Sequence, residues 1–122
     1  MDDYPRSFDH MLAAWNEHDM GKVRSHLDQA LSPDVRFIDP SIETHGIDEF
    51  EKHVRGFRSR LPDARCVRAS GVDSHHHLHR YAWEIYRGDE LILSGFDVVE
   101  VDEAGLVLRV EGFFGPLPPR PA

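Results

Sequence analysis

The sequence predicts an α+β domain in which a helical layer covers one face of a curved antiparallel sheet. Three observations carry this. Apolar residues recur with helical spacing only in the first half of the chain, and they alternate with a period of two only in the second half. The length of 122 residues suits a single hydrophobic core. Helices followed by strands, with no regular βα repeat, exclude a doubly wound parallel sheet.

The first helix is marked by Phe8, Met11, Leu12 and Trp15 at i, i+3, i+4 and i+7, and Glu17-His18-Asp19 ends that stripe. A second stripe uses Met20, Val23, Leu27 and Leu31, with Asp19 placed to cap its start and Ser32-Pro33 to end it. A strand, Val35–Asp39, and a loop from Pro40 to Gly46 follow. The third helix carries Ile47, Phe50, Val54, Phe57 and Leu61 on one face. Asp48 and Glu49 in its first turn and Arg58 and Arg60 in its last complement the helix dipole, and Pro62 stops it.

From Ala64 onward the period changes to that of strands, expected over 65–72, 78–86, 90–101 and 106–114. Arg87-Gly88-Asp89 and Asp102-Glu103-Ala104-Gly105 are hairpin signals, so these strands should form an antiparallel meander. One domain is expected over residues 1–115. The Pro-rich stretch 116–122 reads as an extended tail.

The formal net charge of −8, with no basic stripe, argues against nucleic acid or an anionic membrane as partner. Met1-Asp2-Asp3-Tyr4-Pro5 has neither the positive nor the apolar region of a secretion signal, and no apolar run approaches membrane-spanning length; a cytoplasmic protein is expected. The single cysteine, Cys66, has no internal partner and reads as a half-buried thiol. The run Ser74-His75-His76-His77-Leu78-His79 invites a metal reading, but no carboxylate or cysteine lies nearby in sequence to complete a shell, and a solvated turn is expected. With no Gly-rich phosphate loop and no paired cysteines, no cofactor is expected.

Two acids stand out. Alternation places Asp39 on the face of Val35 and Phe37, and Asp97 on the face of Leu93, Gly95, Val99 and Val101. A carboxyl group in apolar surroundings loses hydration, its pKa rises, and it can hold or take a proton near neutral pH. Asp39 and Asp97 are therefore candidates for proton-transfer chemistry. A two-residue Gly88-Asp89 turn would pair Tyr86 with Leu91 and Arg80 with Asp97, giving that acid a cationic neighbour. In that register Tyr81, Trp83, Ile85, Ile92, Phe96 and Val98 share the outer face, which is too apolar for water and suggests a homodimer packed through it. A three-residue turn would swap the faces and bring Trp83 into the pocket.

The stretch from Met11 to Asp19, the strand end Phe37-Ile38-Asp39-Pro40, the helix start at Gly46, and Gly95-Phe96-Asp97 leading to Gly112-Phe113-Phe114-Gly115 resemble the SnoaL-like branch of the nuclear transport factor 2-like superfamily, which includes ketosteroid isomerase. The resemblance spans roughly Phe8 to Gly115. It implies a cone-shaped, cystatin-like α+β fold, usually dimeric, with three helices over a bent sheet that encloses a pocket. By analogy with ketosteroid isomerase, Asp39 matches the proton-abstracting aspartate and Asp97 the protonated acid that stabilises the developing oxyanion. The tyrosine of that oxyanion hole falls on Met11, which has no hydroxyl. A pocket phenylalanine falls on His53, a third catalytic candidate as hydrogen-bond donor or proton carrier. The expected pocket walls are Met11, Trp15, Phe37, Phe50, Val54, Arg80, Val99, Val110 and Phe114.

The function this implies is binding of a small, mostly apolar organic molecule, with cofactor-free proton transfer next to a carbonyl. Two alternatives share the pocket: a non-catalytic ligand-binding or accessory domain, and water activation by Asp39, as in epoxide hydrolysis.

Overall fold

The computed structural model describes residues 3–122. Met1 and Asp2, the first residues of the expected 1–115 domain, lie outside the described residues. Three helices form where the apolar stripes place them: α1 (Ser7–Asn16), α2 (Met20–Ala30) and α3 (Ile47–Arg60). The Asp19 carboxylate accepts from the Gly21 amide at 2.9 Å, satisfying a free N–H at the start of α2. Gly46 enters α3 with φ 86°, a conformation that favours glycine.

Among the described residues, seven strands form one sheet: β1 (Leu31–Asp39), β2 (Ile42–His45), β3 (Ala64–Arg68), β4 (Asp73–His75), β5 (Leu78–Arg87), β6 (Glu90–Val101) and β7 (Val107–Phe114). The order is β2-β1-β7-β6-β5-β3, with β4 also paired to β5. Strands β5, β6 and β7 make the expected antiparallel meander. The sheet as a whole is mixed, because β1 runs parallel to β7. Helix α3 lies between β1 and the later strands in sequence, and such a crossover permits parallel pairing that no local turn signal announces. β1 begins at Leu31 and carries Ser32-Pro33 through an irregularity in its pairing with β7 between Leu31 and Arg36. The 40–46 loop holds the short strand β2, and β3 ends at Arg68 rather than running to residue 72.

The core between helices and sheet is built from Phe8, Val23, Leu27, Phe50, Val54, Val99, Val107 and Val110, all at or below 1% exposure. Phe50, Val54 and Val99 belong to this core and, unlike Val110, are not among the residues that line the pocket. The reason is rotation about α3. At about 100° per residue, Phe50 and Val54 point into the core, while His53, Phe57 and Arg60 fall on the adjoining flank. At the end of α3, Arg58 is 3% exposed. Its guanidinium donates to the Ala64 and Pro62 carbonyls at 2.7 Å and to Trp15 O at 3.3 Å, tying the helix end to α1 and β3.

The β5–β6 hairpin corrects the expected register. The Gly88-Asp89 turn forms, with Arg87 opposite Glu90 and Tyr86 opposite Leu91, but Ile85 then pairs with Leu93, leaving Ile92 as an extra residue. A one-residue bulge turns every side chain beyond it to the other face. Tyr81 thus faces Asp97, Trp83 faces Gly95 and Arg80 faces Val98. Arg80 is not a pocket residue. It points outward and pairs with Asp73 at 2.8 Å, both well exposed. Tyr81, Trp83 and Ile85, expected on the outer face, turn inward. Residues 116–122 carry neither helix nor strand, and no described helix is long and apolar enough to cross a membrane.

Candidate active site

A cavity of about 430 Å³ lies against the inner face of the sheet, its rim and walls drawn from α1, α3, the end of β1, and strands β3, β5, β6 and β7. Of the expected wall residues, Met11, Trp15, Phe37, Val110 and Phe114 line it, together with all three catalytic candidates, Asp39, Asp97 and His53. The bulge adds Tyr81, Trp83 and Ile85, and β3 adds Cys66, Val67 and Arg68.

The two acids meet across a glycine. Asp97 on β6 pairs with Gly112 on β7, and the β1–β7 register runs through Ile38 and Glu111 toward Asp39 beside that same glycine. A methyl group at position 112 would stand 3.1 Å from Asp97 Oδ1 and 3.3 Å from Asp39 Cβ. The absent side chain is what leaves both carboxyl groups bordering one space.

Asp39 ends β1, and its Oδ1 accepts from Ser41 N at 2.8 Å, Ser41 Oγ at 2.7 Å and Ile42 N at 3.1 Å. It is both a turn cap and a cavity residue. Three donors fix one oxygen, and Oδ2 carries no hydrogen bond within the described residues. Asp97 is held differently. Trp83 Nε1 donates to its Oδ1 at 2.9 Å and the Tyr81 hydroxyl to its Oδ2 at 3.2 Å. Burial pushes the Asp97 pKa up to about 6, the two donors oppose that rise, and the charge of Asp39 adds to it. Burial beside that carboxylate drives the Tyr81 phenol well above its ordinary value.

Trp83 reaches Asp97 because its cross-strand partner has no side chain. A Cβ at Gly95 would fall 2.5 Å from the indole Cζ2 and 2.0 Å from the Phe113 carbonyl oxygen, so the ring occupies the space a side chain at 95 would fill. The far edge of the same indole packs against Phe114, with centroids 5.9 Å apart. Tyr81 also supplies, from β5, a cavity hydroxyl of the kind that Met11 cannot supply from α1.

His53 sits among aromatic rings, 5.5 Å from Trp15 and 5.3 Å from Phe37 between centroids. Burial lowers its pKa, Asp39 opposes the fall and Arg60 adds to it, which favours the neutral imidazole. In the Cys66 thiol, burial raises the pKa to about 11. The histidine run spans the end of β4, a tight turn in which His76 has φ 52°, and the start of β5, where His79 is buried with its Nδ1 2.6 Å from Ser74 Oγ. No group of three or more His, Cys, Asp or Glu side chains among the described residues is placed to hold a metal ion.

A SnoaL-like domain model matches residues 8–110, most of the chain. This chain belongs to the SnoaL-like family. Among solved structures, it is similar to a putative isomerase of the SnoaL-like family from Agrobacterium tumefaciens str. C58, at 29% identity over 90% of this chain and 95% of that one, with a TM-score of 0.84. A putative SnoaL-like polyketide cyclase from Jannaschia sp. CCS1 matches at 12% identity over 93% and 90%, with a TM-score of 0.68. A protein with a cystatin-like fold from Methylobium petroleophilum PM1 matches at 17% identity over 93% and 76%, with a TM-score of 0.73. No curated protein matches the sequence. Sequence reasoning missed the roles of Tyr81 and Gly112, and it placed Trp83 in the pocket only for a three-residue turn, whereas the turn has two residues and the bulge at Ile92 brings Trp83 there. The available signals were two glycines inside strands, Gly95 and Gly112, which mark close approaches, and the apolar alternation of β5.

Proposed function

We propose that the cavity binds a small, mostly apolar organic molecule bearing a carbonyl group, and that Asp39 and Asp97 move a proton at the carbon next to it without a cofactor. The observation that carries this reading is the pair of carboxyl groups bordering one space across Gly112. Asp39, with Oδ2 turned free of its three donors, takes the proton from carbon, and the electron pair moves onto the carbonyl oxygen. Asp97, in the protonated form that partial burial beside Tyr81 and Trp83 favours up to about pH 6, donates a hydrogen bond to that oxygen and can return a proton. Apolar walls strengthen each of these hydrogen bonds by keeping water out. The name of the Agrobacterium relative, a putative isomerase, is consistent with such chemistry.

The test is solvent exchange. In D2O, small cyclic ketones incubated with the protein should gain deuterium at the α-carbon by NMR, and Asp39→Asn should abolish the gain while leaving ketone binding nearly intact. Binding without exchange would make the protein a ligand-binding domain. Incorporation of labelled solvent oxygen into an epoxide would favour water activation by Asp39 instead. The reading extends to a cytoplasmic homodimer packed through the outer sheet face, where Phe96 and Phe113 stack with centroids 5.1 Å apart; sedimentation at micromolar concentration tests the dimer.

A further inference from the structure

Two cationic side chains border the cavity, Arg60 from the last turn of α3 and Arg68 from β3, and they are in opposite situations. Arg68 is committed. It pairs with Asp9 at 3.0 Å, bonds the Tyr4 hydroxyl, and lies 4.5 Å from the Tyr4 ring and 6.0 Å from that of Tyr81. Arg60 has no hydrogen bond or ion pair within the described residues, in a chain whose net charge is −8. In a chain with a surplus of acids, this exposed arginine engages none, and its guanidinium is left available.

Its position is fixed by the helix. His53, Phe57 and Arg60 follow one flank of α3, and all three line the cavity. Helical side chains lean toward the N-terminus, and Arg60 does so, lying back over Gly56. A Cβ at 56 would stand 3.3 Å from Arg60 Nη1. Glycine in a helix interior costs about 1 kcal/mol relative to alanine, and here it clears the track along which the guanidinium runs toward His53. Arg60 is near enough to His53 to act on its charge, as Asp39 does with the opposite sign. The cavity thus carries, on a largely apolar lining that also includes the committed Arg68 and Glu84, the two acids beside Gly112 and an unengaged fork of N–H donors at the α3 rim.

We infer that Arg60 is a binding residue for an anionic group, and that the ligand is a keto acid: an apolar body with its carbonyl at Asp39 and Asp97 and a carboxylate seated on the Arg60 guanidinium. The inference rests on the proposed proton-transfer reading for the carbonyl end and adds the anionic end. A planar guanidinium accepts a carboxylate in a two-pronged, charge-assisted contact that an ester of the same shape cannot make.

The probes are 4-oxo-4-phenylbutanoate and its methyl ester, titrated calorimetrically against the wild-type protein, Arg60→Gln and Arg60→Lys. The acid should bind the wild type about tenfold more tightly than the ester, the increment expected of one partly exposed charge-assisted contact. Arg60→Gln should bring the acid-to-ester ratio to about one, and Arg60→Lys should retain part of the preference. Equal affinities in the wild type, or a preference that survives Arg60→Gln, would overturn the inference. Failure of both probes to bind would overturn it too. Deuterium exchange into the ester separates the two readings: exchange without an acid preference leaves the proton-transfer proposal standing and removes this one.

Discussion

Replacing Trp83 with phenylalanine removes the indole N–H and keeps an aromatic ring over Gly95. The bond lost is the 2.9 Å contact to Asp97 Oδ1. Hydrogen bonds to charged groups contribute about 1.5–3 kcal/mol, and about 1.4 kcal/mol corresponds to one pH unit. The donor favours the ionised carboxylate, so its loss should raise the Asp97 pKa from about 6 by about one to two pH units. Tyr81 still holds Oδ2 in the variant, and burial still disfavours the charge. The assay is a carboxyl 13C NMR titration with Asp97 assigned by its loss in Asp97→Asn. A pKa that stays near 6 would show that the indole is not an effective donor. A fall would show that Trp83 acts as a plug whose removal hydrates the acid.

Asp97 should also govern how stability varies with pH. Its pKa in the folded protein is raised from an ordinary 3.8 to about 6, so between those values the folded chain holds a proton that the unfolded chain has released. Stability should fall as pH climbs through that window and level off above it, by about 3 kcal/mol at most. Asp97→Asn should therefore melt several degrees above wild type at pH 7.5 and close to it at pH 4 in scanning calorimetry; equal melting at both would refute this. Gly95→Ala places a methyl 2.0 Å from the Phe113 carbonyl oxygen and against the Trp83 ring, and should cost about 3 kcal/mol or more in urea unfolding, with a near-neutral result refuting the close approach. Cys66, with its pKa raised from 9.0 to about 11, should react with iodoacetamide at pH 7.5 at least about a hundredfold more slowly in the native protein than in urea, and equal rates would contradict its burial.

The helices were legible because each is long enough to show its period and carries its own stop signals: the apolar stripe to Trp15, the Asp19 cap and Pro62 after α3. Strand β6 could be read with its ends, Glu90 and Val101, and the inward faces of β1, β6 and β7 followed from alternation alone. The face of β5 did not. The turn at Gly88-Asp89 fixes the hairpin's first two pairs, but the extra residue at Ile92 depends on how the sheet bends around the cavity, and a bulge has no fixed sequence signature. One displaced residue moved Arg80 away from Asp97 and brought Tyr81 and Trp83 to it. The apolar alternation of β5, read as a surface awaiting a partner, belongs in large part to the cavity. Strands β2 and β4 are too short to show a pattern, and the parallel β1–β7 pair joins segments far apart in sequence. Both acids were legible because a carboxylate on an apolar face is conspicuous, whereas Gly112, which lets them share a space, speaks only through the side chain it lacks.

The central claim is that Asp39 and Asp97 border one cavity closely enough for the charge of Asp39 to add to the rise that burial imposes on Asp97. The direct measurement is the 13C titration of the Asp97 carboxyl in Asp39→Asn. Removing the neighbouring negative charge should lower the Asp97 pKa below about 6, because the charge of Asp39 helps to raise it. An Asp97 titration unchanged by that substitution would contradict the shared site.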